Sequence, residues 1–346
     1  MKRFLFALLA IGFAMGFPRV WAQAPNDGEA CFQMADSLEK ADGCRDSIEH
    51  YWRLAKEAGH ADAHKRLSAF YLKMSEELRE TDRDAARRYK MKWADEEATP
   101  MAYRKAAFFL RNKSIPESKD SVAHQYFYKA ATAEPKDVFG EAWCYEFGYG
   151  GFVRDVEKAK GLYSKLFDSI PYLDDPELFV ESRYRYALCI ELKTPAEKKD
   201  TAAMRFYYEQ AAWQKHPGAN LALGIYYYNS KYANTHARVK QYLGTALEGI
   251  ATDSLSAGYA AWYIGVCYAN AYCGYEKNTK KAREHLLIAE ACHIPEAKAE
   301  LQKIDAAEQG NTLNNISQSY SDSTPANSNI SEENIRNLIN KKDKNL

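Results

Sequence analysis

Met204-Arg205-Phe206-Tyr207-Tyr208-Glu209-Gln210-Ala211-Ala212 is followed by Pro217-Gly218 and then by Ala219-Asn220-Leu221-Ala222-Leu223-Gly224-Ile225-Tyr226-Tyr227. Met204, Tyr207, Tyr208, Ala211 and Ala212 recur with the 3.6-residue period of a helix and form one apolar stripe. The Pro-Gly pair breaks that helix, and a second apolar run starts at once with alanine. Two helices of this length joined by a short turn make an antiparallel hairpin. Gly224 sits inside the second helix, where glycine costs about 1 kcal/mol relative to alanine. Its presence there predicts close approach of a neighbouring helix.

The same phrase recurs along the chain. Its starting residues are Ile48, Ala86, Ala123, Ala159, Met204, Val239 and Ala282, spaced by 38, 37, 36, 45, 35 and 43 residues. Breakers follow six of the seven copies, at Gly59, Thr99-Pro100, Glu134-Pro135, Pro171, Pro217-Gly218 and Ile294-Pro295. Gly265 stands in the copy ending Ala261-Trp262-Tyr263-Ile264-Gly265-Val266-Cys267-Tyr268 where Gly224 stands in its own. A lone hairpin cannot bury its stripe, so each unit has to pack on its neighbours. The expected fold is all-α: a solenoid of about seven antiparallel helix hairpins in a curved superhelix, the first helices lining a concave groove.

Gly218-Ala219…Leu223-Gly224…Tyr227 resembles the Sel-one-like repeat, a relative of the tetratricopeptide repeat. So do Gly148-Tyr149-Gly150-Gly151…Val153…Asp155…Lys158-Ala159…Tyr163 and Tyr51-Trp52…Ala55…Gly59-His60-Ala61-Asp62-Ala63. The resemblance spans roughly residues 27–306. Leu188-Cys189 replaces Leu-Gly in one copy, the copy around 84–112 lacks the glycines, and 166–200 is stretched. The resemblance implies an interaction module that holds a protein.

Both ends differ from the body. Lys2-Arg3, the apolar run Phe4–Phe17 and the small residues around Ala22-Gln23-Ala24 have the anatomy of a secretory signal, cleaved after 22 or 24. The run is shorter than the roughly 20 residues that span a bilayer. Residues 311–346 hold nine Asn and six Ser with few aliphatics, so 307–346 is expected to be a disordered tail beyond a 25–306 solenoid. Whole-chain charge is zero, 47 bases against 47 acids. Without Lys2, Arg3 and Arg19 it is −3, which lacks the basic footprint of a nucleic-acid binder. The expected setting is periplasmic, with secretion as the alternative. No stable membrane insertion and no small-molecule ligand are expected.

Seven cysteines suit an oxidising compartment and leave at least one thiol over. Cys31 and Cys44, flanking Ala41-Asp42-Gly43, are the first candidates for a disulfide, and Cys267 with Cys273 the second. Cys144 and Cys189 read as small hydrophobes inside helices.

Motifs of chemistry are sparse. The chain has no P-loop, dinucleotide glycine loop, GxSxG or HExxH, so no cofactor, metal or catalytic residue is assigned. Ser37-Leu38-Glu39-Lys40 matches the SxxK of penicillin-interacting enzymes, without the SDN-like and KTG-like elements that accompany it. A cell-wall-directed enzyme using Ser37 and Lys40 is therefore the alternative to a binding module. A secreted effector that meets host proteins is another. His60 and His64 stand four apart, a spacing some metal sites use, but His60 lies in the turn beside Gly59 and reads as an ordinary polar turn residue; Cys273, Cys292 and His293 fit no metal-ligand spacing. Glu96-Glu97, Asp174-Asp175 and the basic run Arg79–Lys92 read as solvated helix faces and ends. The tyrosines off the stripe, Tyr226, Tyr227, Tyr228, Tyr232, Tyr272 and Tyr275, cluster at helix ends and turns. They are the candidates for a partner surface, because tyrosine brings large contact area at low entropic cost.

Overall fold

The computed structural model describes residues 27–167, 172–192, 200–230 and 233–323, with side chains through residue 310. The signal segment, Tyr232, Pro171 and 324–346 lie outside the described residues. The described residues hold fifteen α-helices and no strand. They divide into two compact units.

The first unit, 1–112 with 117–199, opens with α1 (Gly28–Lys40). Four hairpins follow. These are α2 (Arg45–Glu57) with α3 (Ala63–Glu77), α4 (Arg83–Glu97) with α5 (Pro100–Leu110), α6 (Ser121–Thr132) with α7 (Val138–Phe147), and α8 (Val156–Ser164) with α9 (Pro176–Glu191). The second unit, 113–116 with 200–346, holds three more. They are α10 (Thr201–Trp213) with α11 (Pro217–Tyr228), α12 (His236–Glu248) with α13 (Ser254–Asn270), and α14 (Thr279–Ala291) with α15 (Pro295–Ser323). The seven expected hairpins are present, preceded by α1, which the repeat count did not include.

Local chemistry sets the helix ends. Asp82, Asp120, Asp155, Asp200 and Asn278 cap the first helices by accepting the backbone N–H three residues on. Each satisfies a donor that the helix itself leaves open. The prolines read as breakers are starts as well. Pro100 and Pro217 open α5 and α11, where a missing N–H is harmless.

The stripe is the core. All seven starting residues are buried, from Ala86, Ala123, Ala159, Val239 and Ala282 at 0% exposure to Met204 at 7%. Large side chains four positions on, Trp52, Phe127, Tyr163, Tyr208, Leu243 and Leu286, are equally covered. In the first unit they merge with Phe70, Phe139 and Trp143 into one continuous core. Burying such a side chain contributes roughly 1.5–3 kcal/mol. Smaller cores around Ala261 and Ala289, and around Leu286 and Leu301, serve the second unit. The close approach expected at the two glycines is real. A Cβ at Gly224 would lie 2.4 Å from Leu243 Cδ2 of α12, and one at Gly265 would lie 2.8 Å from Leu286 Cγ of α14. The copy without glycines still forms a regular hairpin, with buried Ala94, Ala102, Ala106 and Ala107 giving α4 and α5 their shallow contact.

Two expectations change. The chain does not leave the helix at 306, because α15 runs to Ser323. A polar composition denies the segment a core, yet extending an existing helix fixes few new dihedrals per hydrogen bond. No disulfide joins Cys31 to Cys44. Cys31 lies near the start of α1, buried against Ala55 and Ala63, whereas Cys44 is exposed at the N-cap of α2, beyond the far end of α1. At a rise of 1.5 Å per residue that separation is roughly 15 Å, about twice what a disulfide bridges.

Candidate functional site

Helix α10 in the second unit has two faces. Met204, Tyr208, Ala211 and Ala212 point into the core. Phe206 lies about 200° around the helix from Met204, and Trp213 seven residues further shares its face. Their exposures are 52% and 86%. An exposed tryptophan on an ordered helix is unusual, since such a side chain normally contributes its area to a core or an interface. At the end of the next hairpin's first helix Ile250 is exposed too, in a turn held near the start of α11 by the close fit of Gly249 on Pro217. Neither Phe206 nor Trp213 was among the expected surface residues. The signal was present, because both fall off the stripe on a helical wheel. It was hidden by aromatics before and behind them.

The expected tyrosines divide into three settings. Tyr227 is buried, its ring stacked on Tyr242 at 5.7 Å while its hydroxyl meets Arg238 at 2.6 Å and Glu209 at 3.4 Å. It packs between helices and offers no surface. Tyr226 is half-buried beside it. Tyr228, from the end of α11, does meet Tyr272, from the turn after α13: their rings lie 5.0 Å apart, with Tyr263 4.9 Å from Tyr228. Tyr272 also donates a hydrogen bond to the Tyr228 carbonyl at 3.4 Å and keeps 43% of its surface exposed. Burial pushes the Tyr228 hydroxyl up to about 12, so that hydroxyl stays protonated near neutrality. Tyr275 packs elsewhere, edge-on to Tyr268, itself stacked on His285.

The first unit carries its polar groups as ion pairs between helices. Lys92 of α4 donates to Glu49 of α2 at 2.7 and 2.8 Å and lies over the Tyr71 and Tyr89 rings. Lys129 of α6, six residues into its copy as Lys92 is into its own, donates to Asp95 of α4 at 2.6 Å and lies over Tyr103 and Tyr126. A shallow hollow between α2 and α4 is lined by Arg45, Asp46, Glu49, Arg88, Tyr89 and Lys92. The basic run expected to be a solvated face thus links hairpins, and its Lys90 is buried, over Trp93 and Phe109, with its pKa lowered mainly by that burial.

Deeper in the first unit lies a charge cluster that the sequence did not announce. Arg185 of α9 is completely buried. It donates to Glu181 at 3.2 Å, to Glu146 at 3.1 Å and to Glu117, and lies 4.3 Å from the Trp143 ring centroid. Arg111 grips Glu181 through two bonds of 2.5 and 2.9 Å. Tyr163 donates to Glu146 at 2.8 Å. Burial raises the pKa of Glu146. These donors and acceptors engage each other, so the cluster fixes α7 and α9 in register.

The remaining candidates are engaged locally. Ser37 is exposed on α1 and donates to the Gln33 carbonyl at 2.7 Å, while Lys40 is paired with Asp36 at 2.5 Å. His60 stacks on Phe32 and meets Glu29 at 3.1 Å, and His64 meets Glu96 at 2.6 Å. Glu97 accepts from Ser68, and Asp175 caps α9 while binding Arg104. Among the described residues no group of three or more His, Cys, Asp or Glu could hold a metal ion, and no helix is long and apolar enough to cross a membrane.

No protein-family model matches the chain, and no curated protein matches it. Solved structures similar to it include the following two. One is a protective antigen of uropathogenic Escherichia coli displaying an SLR fold, 16% identical with a TM-score of 0.37, the match covering 80% of this chain and 64% of that one. This chain therefore spans just under two thirds of that protein's length. The other is a Sel1 repeat protein from Oxalobacter formigenes, 18% identical with a TM-score of 0.40, covering 87% and 93%. Both are of the repeat type that residues 27–306 resemble.

Proposed function

We propose that the protein is an exported, non-enzymatic interaction module that holds one protein partner on the outer face of α10. The observation that carries this reading is the pair Phe206 and Trp213, aligned on one helix face and open to solvent. Buried aromatic anchors supply most of the affinity in protein interfaces, and Trp leads them. The partner offers an apolar pocket or groove, because the face carries rings and no concentrated charge. Export rests on the leader-like residues 1–24, and the periplasm is the compartment that fits them. Envelope scaffold, regulator and toxin-neutralising partner are the roles open to such a module. With Ser37 and Lys40 each engaged by its own helix, no observation favours the cell-wall enzyme.

The test is affinity capture from envelope extracts of the native organism, with the wild-type chain and a Phe206→Ser/Trp213→Ser variant as baits. Circular dichroism and the thermal midpoint should be unchanged in the variant, because neither side chain is in the core. A captured protein should be held by the wild type and lost, by about two orders of magnitude in affinity, by the variant. Equal capture by a well-folded variant would overturn the reading.

A further inference from the structure

The turn after α13 has a sister in the first unit, the turn after α7. The two match step by step. Tyr149 N–H donates to the Cys144 carbonyl at 3.1 Å, and Tyr272 N–H to the Cys267 carbonyl at 3.0 Å. Asp155 N–H reaches back to the Tyr145 carbonyl at 2.8 Å, and Asn278 N–H to the Tyr268 carbonyl at 3.0 Å. Both turns use left-handed backbone at equivalent places. The first fills them with Gly148 (φ 68°) and Gly150 (φ 66°), the second with Ala271 (φ 54°) and Cys273 (φ 52°). A side chain in that region costs roughly 1–2 kcal/mol. Glycine serves that place in the sister turn, where a Cβ on Gly150 would also strike the Tyr128 ring, whereas here the place holds Cys273. That side chain turns inward: Cys273 is 2% exposed, and Cys267, whose carbonyl accepts from the neighbouring Tyr272 N–H, is 0% exposed.

We propose that Cys267 and Cys273 are a dithiol–disulfide redox site that staples the Tyr272 turn to the end of α13. Its chemical partner is a small or protein disulfide, such as oxidised glutathione. Opening of the turn, which exposes Ala271, Tyr272 and Gly274 at its rim, admits the oxidant. The Cys273 thiol gives up its proton, and its sulfur attacks the oxidant's disulfide, forming a mixed disulfide and expelling one thiolate. The Cys267 sulfur, deprotonated in turn, attacks Cys273 and expels the second. Two protein thiols are oxidised by two electrons, the oxidant is reduced to two thiols, and the two protons end on them. The bond removes the turn's freedom to open and holds Tyr272 on Tyr228. Burial, which raises both thiols, with Cys267 pushed up to about 12, keeps the closed pair slow to react, so exchange follows turn opening.

The experiment treats the folded full-length chain with a glutathione redox buffer, quenches with acid, alkylates with N-ethylmaleimide and digests with chymotrypsin without reduction. Cleavage after Tyr268 and Tyr272 puts the two cysteines on separate peptides. The expected result is a linked 267–273 pair, lost on reduction and unchanged when Cys31 and Cys44 are replaced by Ala. Cys273→Gly, which copies the sister turn, should fold as the wild type does and give no linked pair, and native chymotrypsin should nick it after Tyr272 faster than the oxidised wild type. Recovery of both residues as maleimide adducts, as glutathione adducts, or linked to other cysteines would overturn the proposal, as would equal nicking of the oxidised wild type and the variant. None of these readouts involves a protein partner.

Discussion

Arg185 shows how a single residue can be both costly and indispensable. Two buried guanidinium groups, Arg111 and Arg185, face the buried carboxylates of Glu146 and Glu181 and that of Glu117, which is 34% exposed. Removing Arg185 strands buried carboxylates, so Arg185→Met should cost about 3–5 kcal/mol, measured from the urea midpoint. Glu146→Gln should cost much less, because it removes the surplus negative charge and can still accept from Tyr163. Burial raises Glu146, so the folded chain binds a proton that the unfolded chain releases. Its contribution to stability is full below the ordinary value of 4.5 and is lost as pH rises through the raised folded value. The deficit of Glu146→Gln relative to wild type should therefore be largest in acid and shrink toward neutrality. A deficit that grows with pH would mean that Arg185 outweighs burial and that the carboxylate is depressed instead.

Among the helices, stability rests on how near neighbouring hairpins come. Gly265→Ala would place a methyl 2.8 Å from Leu286 Cγ and 3.2 Å from the Ala282 carbonyl, so it should destabilise by about 1–3 kcal/mol despite its better helix propensity. Gly161 is exposed on α8, and a methyl added there would meet nothing within 4 Å, so Gly161→Ala should gain about 0.5–1 kcal/mol. Thermal or urea unfolding of the two variants separates the cases. The helices were legible in the sequence because their information is local. A stripe at Met204, Tyr208 and Ala211 and a proline at a helix start need no knowledge of the rest of the chain. The charge cluster was not legible, because Arg185 finds Glu117 across 68 residues and Glu146 across 39. No periodicity joins such positions. Cys31 and Cys44 misled for a related reason: nearness along the chain is not nearness in space when a straight helix lies between them. Among the expected tyrosines Tyr228 meets Tyr272 whereas Tyr227 turns inward, and one residue of helical phase decides which.

Among the described residues each unit has its own core, and the stripes leave other side chains at the surface. In the first unit part of that surface carries the lysine–acid–tyrosine ladders of Lys92 and Lys129 between hairpins. In the second it includes the bare aromatic face of α10. The decisive experiment places a photoreactive phenylalanine analogue at position 213, and separately at the exposed control position 161, in the native organism. Position 213 should give one discrete cross-linked protein, absent when Phe206 is changed to Ser, and position 161 should give no such product. Identical products from both positions, or none from 213 in a folded, correctly processed chain, would refute docking on α10.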